Sequence, residues 1–265
     1  MTNISICGCG WLGEPLAYMF LQQGFRVMGT CRSQQKRDQL QQKGINARQF
    51  ELGHPMPTDI FHQSTLILNL PPGQYRQQPE FFVNKILYLI ETAKLHGCQN
   101  ILFISTTSVY GDSRGRVTEH SQLKPVTSSA KAHVQIEQAI LAANGTVLRL
   151  AGLIGPGRHP ARNLAGRKQI SGGANPVNLV HQEDVINAVI TIIKQQVWGK
   201  VLHLAATEHP SRADYYRWAA GEAGLAPPEF KPDNGGDSKV IDATATLSML
   251  NLELAYPSPF QMPVS

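Results

Sequence analysis

Three groups of residues carry chemistry by their type and spacing. Gly8-x-Gly10-x-x-Gly13 puts glycines where a chain leaving a strand must turn into a helix. In such a turn the first glycine makes the bend, the second lets a pyrophosphate approach the backbone, and the third lets helix and strand pack closely. Trp11 and Leu12 lie inside it and open a helix whose free N–H groups and partial positive charge favour phosphate. The second group is a run of hydroxyls, Ser105-Thr106-Thr107-Ser108, just before Val109-Tyr110-Gly111, which sets four hydroxyls in a row at a strand's carboxyl end. The third is the basic loop after Gly155. There Arg158 and Arg162 can clamp a phosphate or carboxylate with paired donors, and His159 is a candidate proton donor. His181, at a strand end before Asp184, can face the same substrate.

The elements that must hold these groups read as alternating strands and helices. Ile4 to Cys7 is an apolar strand and Glu14 to Gln23 a helix; Phe25 to Thr30 is the second strand and Gln34 to Lys43 the second helix. Asn46 to Leu52 and Thr65 to Leu70 follow as strands, the latter stopped by Pro71-Pro72-Gly73. Ligands in such sheets bind at the carboxyl ends of strands, which makes Leu70, Pro71 and Pro72 candidate cofactor walls. Glu80 to His96 carries Phe81, Phe82, Ile86, Leu87, Leu89, Ile90 and Ala93 at helical spacing, and Ile101 to Ile104 is a strand. Asp184 precedes an apolar-periodic segment and reads as a helix cap. Ser211 caps a helix carrying Tyr215, Tyr216 and Trp218. The fold expected is α/β: a doubly wound parallel Rossmann sheet with a small interleaved C-terminal substrate lobe. Residues 1–155 are assigned to the dinucleotide and 156–265 to the substrate, with 178–206 returning to the sheet.

Cofactor choice turns on the end of the second strand, about twenty residues past the last glycine, where NAD-preferring domains place an acidic residue on the ribose 2′-hydroxyl. This chain has Arg32 and Ser33 there, with Lys36 and Arg37 behind. A guanidinium and a hydroxyl suit a 2′-phosphate, so NADP is expected over NAD, which remains compatible.

The bulk properties narrow the class. With 265 residues and 42% hydrophobic content the chain buries a sizeable core. The net charge of +5 comes from scattered cations, which fits a small anionic ligand and argues against nucleic acid. No apolar run is long enough to span a bilayer and no signal segment is evident, so a cytoplasmic protein without a membrane partner is expected. Cys7, Cys9, Cys31 and Cys98 form no paired metal motif, and no metal site is expected.

The stretch Ser105 to Gly111 resembles the Ser-Ser-x-x-Val-Tyr-Gly signature of the extended short-chain dehydrogenase/reductases, the NAD(P)-dependent epimerase/dehydratase family. Asn84, Leu148 to Gly157 and Asn178 to Val185 resemble further pieces of the family in its own order. The resemblance implies that a Ser or Thr orients the substrate hydroxyl, a Tyr transfers its proton, and a Lys four residues on lowers the tyrosine pKa. Thr106 falls at the Ser/Thr position, so the resemblance implies that it orients the substrate oxygen with Ser108 assisting and that Tyr110 lies against the substrate. The helix after Pro125 then departs from the pattern. Anchoring on Lys131 puts Thr127 in the tyrosine place; anchoring on Glu137, which resembles the family's helix glutamate, puts Ser129 there and His133 in the lysine place. Neither register supplies a phenol, and an aliphatic hydroxyl is too weak an acid to inherit its role without a strong base beside it. Three solutions stay open: Tyr110 lends its phenol, Lys131 or His133 acts directly, or the protein binds cofactor without redox chemistry. Thr107 and Ser108 stand where dehydratases carry Asp-Glu, so sugar dehydration is not expected. The closest resemblance is to atypical members with a shortened C-terminal region. It implies an oxidoreductase or epimerase acting on a small sugar-like or anionic molecule, as a monomer or a homodimer paired through the Glu80 and Ser129 helices. The alternative is a catalytically silent NAD(P)-binding sensor.

Overall fold

Alternation of short apolar runs with helical segments resolves into strands and helices in the expected order. The computed structural model describes residues 3–62, 64–232 and 238–264; residues 233–237 of the Pro- and Gly-rich C-terminal stretch lie outside them. The elements run β1 (Asn3–Cys7), α1 (Gly13–Gln22), β2 (Arg26–Cys31), α2 (Gln34–Gln42), β3 (Asn46–Gln49), β4 (Ser64–Leu68), α3 (Pro79–Leu95), β5 (Asn100–Thr106), β6 (Gly115–Val117) and α4 (Ser128–Ala142). The chain continues with β7 (Thr146–Leu150), β8 (Gly152–Ile154), α5 (Ala161–Leu164), β9 (Leu179–His181), α6 (Gln182–Lys194), β10 (Val201–Leu204), α7 (Arg212–Glu222), β11 (Lys239–Ile241) and α8 (Thr244–Leu250).

Seven strands form one sheet in the order β10-β7-β5-β4-β1-β2-β3. β1 pairs in parallel with β2 on one side and β4 on the other, so the winding reverses at β1. In a doubly wound sheet the crevice at the carboxyl ends beside such a reversal is where a dinucleotide binds. The glycine turn leaves β1 there, and Asn69 to Pro72 leave β4 there. Strand β4 ends at Leu68, two residues earlier than its hydrophobicity implies; beyond it the Asn69 N–H still donates to the Cys7 carbonyl of β1 at 3.0 Å. Likewise β3 stops at Gln49; Leu52 makes only an isolated bridge with His54.

Contacts divide the chain into two units. One comprises 1–109, 125–149 and 189–201; the other comprises 110–124, 150–188 and 202–265. The first is built on β1 to β5 with α1 to α4. Ile4, Ile6, Leu66, Leu68, Phe82, Phe103, Ile136 and Val147 are fully buried in it, and each such side chain contributes about 1.5–3 kcal/mol relative to exposure. The second holds two short parallel ladders, β8–β9 and β6–β11, and an aromatic core in which Tyr215 sits among Tyr216, Trp218 and Phe260. Of the segment 178–206, β10 lies in the large sheet, whereas β9 pairs with β8 instead.

Candidate functional site

The glycine turn is locked from two sides. Gly8 has φ +105°, and a Cβ there would lie 2.4 Å from the Asn69 carbonyl oxygen; a Cβ on Gly13 would lie 2.2 Å from the Gly8 oxygen. The Thr30 hydroxyl accepts the Gly8 N–H at 3.1 Å, and the Asn69 side-chain amide donates to the Gly8 carbonyl at 3.0 Å. Among the described residues nothing lies within 4 Å of the place a Cβ on Gly10 would take. No side chain caps the N-terminus of α1. The middle glycine therefore faces open space beside a helix N-terminus, as a pyrophosphate cradle requires. Trp11 is half-buried and Leu12 buried in the turn; Leu70 is half-buried, Pro71 exposed and Pro72 half-buried at the end of β4. Burial pushes the Cys7 and Cys9 thiols up to about 12, which leaves both unreactive at neutral pH. No group of three metal-binding side chains occurs among the described residues.

Past β2, most charged side chains are already committed. Glu14 of α1 holds Lys36 at 2.5 Å and Lys43 at 2.8 Å, and Arg37 pairs with Asp38. Among the described residues the exposed Arg32 guanidinium makes no hydrogen bond or ion pair. The Ser33 hydroxyl oxygen accepts from the Lys36 N–H at 3.2 Å and caps α2, which leaves the O–H of this exposed residue to donate.

At the end of β5, Thr106 is half-buried and its hydroxyl oxygen accepts from the Ser108 N–H at 3.1 Å, leaving its own O–H to donate. Ser108 is exposed and Thr107 buried. Helix α4 puts the two registers on opposite faces. Thr127 is its N-cap, accepting from the Ala130 N–H at 3.1 Å, and Lys131 and Gln135 are exposed on the same face. Half-buried Ser129 and buried His133 and Glu137 form the opposite face, one turn apart. Lys131, expected as a catalytic group, thus points away from the strand α4 packs on. His133 is 6% exposed, lies over Phe103 with ring centroids 5.6 Å apart, and faces the Ser129 carbonyl through Nδ1 at 2.8 Å. Glu137 is held by Arg149 at 2.7 Å and by the Ser105 hydroxyl at 2.5 Å. Thr30 and Asn69 carry no motif; only their places at strand ends mark them in the sequence.

In the second unit the expected substrate residues separate. Arg158 and Arg162 are exposed. His159 is not available as a proton donor: Nε2 bonds the Tyr215 hydroxyl at 2.8 Å, Nδ1 accepts from the Ala161 N–H, and burial lowers its pKa. Tyr110 is fully buried, with its hydroxyl against His203 Nε2 at 2.5 Å and donating to the Thr118 carbonyl; it cannot lend its phenol to a ligand. His181 is buried against the Tyr256 ring, its Nδ1 accepting from the Glu183 N–H.

Asp184 does not cap α6. Its buried carboxylate accepts from the backbone N–H groups of Ala255 and Tyr256, and burial still pushes its pKa up to about 6. A carboxyl whose folded pKa exceeds its unfolded value stabilises fully below the unfolded value and loses that contribution as pH rises through the folded one. Urea unfolding of wild type and Asp184→Asn from pH 3.5 to 7.5 will show wild type losing ground against the variant between about pH 4 and 6. A constant difference would mean that Asp184 does not titrate in that window.

A family model described as "NAD dependent epimerase/dehydratase family" matches residues 4–205. Protein YeeZ of Escherichia coli K12 is 34% identical over the whole of both chains. Among solved structures, a UDP-glucuronic acid 4-epimerase from Bacillus cereus in complex with NAD superposes with TM-score 0.82 at 15% identity, covering 99% of this chain and 96% of that one. A functionally unknown conserved protein from Silicibacter pomeroyi gives TM-score 0.80 at 22% identity, with 98% and 96% covered. At these identities the structures establish a common fold.

Proposed function

Because the chain belongs to the NAD-dependent epimerase/dehydratase family, we propose that it is an NADP-dependent oxidoreductase or epimerase of the atypical extended short-chain type, acting on a small sugar-like or anionic substrate. The observation that carries this is the open Gly10 backbone at the uncapped start of α1, with an uncommitted Arg32 at the end of β2. A nicotinamide dinucleotide held there supplies hydride acceptance and donation. In this reading the amides around Gly10 to Gly13 hold the pyrophosphate and Leu70, Pro71 and Pro72 wall the site. Arg32 takes the 2′-phosphate. The Thr106 hydroxyl donates to the substrate oxygen, with Ser108 beside it. Residues 1–155 serve the dinucleotide and 156–265 the substrate, whose anionic group suits Arg158 and Arg162. The Bacillus cereus structure, named for UDP-glucuronic acid, supports a sugar acid or its nucleotide conjugate as the class to try first. The protein works in the cytoplasm as a monomer or homodimer.

Titration with NADPH and NADH, followed by energy transfer from the tryptophans, tests the cofactor half. NADPH will bind more tightly than NADH, and Arg32→Asp will weaken NADPH by about 10- to 150-fold, the worth of a hydrogen bond to a charged group. Equal affinities in wild type would remove NADP from the proposal, and binding of neither would remove the proposal itself. A silent dinucleotide sensor is the second reading, favoured by the sealed Tyr110 and a helix α4 without tyrosine. A sensor leaves NADPH absorbance unchanged across a screen of sugar acids and their nucleotide conjugates; an enzyme consumes it.

A further inference from the structure

We propose that His133 Nε2 is the acid–base group of this site, doing directly the proton transfer that a phenol would otherwise perform. The proposal rests on the dinucleotide reading above. It starts from the tautomer. Nδ1 lies 2.8 Å from the Ser129 carbonyl, which can only accept, so Nδ1 carries the proton and Nε2 is left with a lone pair. Among the described residues that lone pair has no partner: His133 shows no second hydrogen bond. It is not sealed in either, since among the described residues the single fully buried side-chain nitrogen or oxygen lacking a partner is His181 Nε2.

Position follows from the helix. In an alternating sheet α4 runs back against β5 and β7, so its first turns lie at the carboxyl edge of the strands, where the glycine turn and Thr106 also lie. Glu137 is anchored to Ser105 at that edge, and His133 is one turn nearer the helix start. The groups facing the ring are few. Helix α3 presents Phe82 and β5 presents Phe103. Tyr75, in the turn before α3, spends its hydroxyl on the Leu52 carbonyl. On α4 itself, Glu137 acts through its charge. Burial among the rings lowers the His133 pKa, and the Ser129 carbonyl and Glu137 oppose that shift. The imidazole is therefore neutral at pH 7 and able to accept.

In the oxidative direction the substrate O–H proton passes to Nε2 while the electron pair of the adjacent C–H bond leaves as hydride to the bound nicotinamide dinucleotide. The products are a carbonyl and an imidazolium; reduction returns the same proton to the carbonyl oxygen. Thr106 orients the oxygen and His133 exchanges its proton.

Carbethoxylation with diethyl pyrocarbonate, mapped by peptide mass spectrometry, tests this without a substrate. The reagent attacks a neutral, unbonded imidazole nitrogen. His133 will be modified in the free protein, protected by saturating NADP+, and left unprotected by adenosine 2′,5′-bisphosphate, which fills the adenine end alone. Lys131→Gln will behave as wild type. A nitrogen-15 spectrum, assigned with His133→Gln, will show the Nδ1-protonated form at pH 7. An unmodified His133, equal protection by both ligands, or an Nε2-protonated ring would overturn the proposal while leaving the dinucleotide reading intact. Absence of NADP+ binding, read by tryptophan fluorescence on the same sample, would overturn both.

Discussion

Arg149→Leu will lower the free energy of unfolding by about 3–5 kcal/mol, because it strands the Glu137 carboxylate in the core. Glu137 and Arg149 are 2% and 4% exposed in their side chains and share two-pronged contacts of 2.7 to 3.1 Å. The Ser105 hydroxyl takes up part of the remaining capacity of the carboxylate. A buried pair of this kind is not in itself strong evidence of added stability, since desolvation offsets much of the attraction. Breaking it from one side is another matter, for one charge then stays buried without its partner. Urea denaturation distinguishes the two statements: Arg149→Leu alone will be severely destabilised, and Glu137→Leu/Arg149→Leu will recover most of the loss. A single variant losing less than about 1 kcal/mol would show that water reaches the carboxylate. The pair also fixes the inward face of α4, so a single variant that still folds will change the reactivity of His133 one turn away.

The sequence makes some of this site legible and conceals the rest for physical reasons. Gly8, Gly10 and Gly13 are readable because only glycine satisfies a positive φ, an open approach and a close packing in that order. The strand-and-helix alternation is readable because its periods differ. Which face of α4 points inward is undecidable from spacing alone: Thr127-x-x-x-Lys131 and Ser129-x-x-x-His133 have the same spacing, and only packing against Phe82 and Phe103 separates them. Polar residues mislead most. Tyr110, His159 and Asp184 all look like ligand-binding or capping chemistry, but each satisfies backbone or core partners. A side chain's type states what it can bond; its neighbours decide whether that bond is already made. Thr30 and Asn69 illustrate the converse, since they hold the Gly8 turn through hydrogen bonds with no sequence signature.

The glycines themselves separate folding from binding. Gly10→Ala will unfold at the wild-type urea midpoint and lose NADPH affinity by about 30- to 150-fold, the equivalent of 2–3 kcal/mol of steric overlap. The reason lies in what each Cβ would meet. At Gly10 it enters space that the protein leaves vacant within 4 Å, and the backbone there is outside the left-handed region, so the free protein has nothing to rearrange. At Gly13 it would come within 2.2 Å of the Gly8 carbonyl oxygen, a backbone atom held in place by Asn69. Gly13→Ala will therefore cost about 1–3 kcal/mol of stability before any ligand is added. The two substitutions add the same methyl group three residues apart. If Gly10→Ala binds NADPH as wild type does, the pyrophosphate does not pass over this turn, and the cradle is part of the fold alone. If Gly10→Ala instead destabilises the free protein as Gly13→Ala does, the space beside it is filled in solution. The predicted split, intact stability with lost affinity at one glycine and lost stability at the other, is what a turn built to meet a ligand requires.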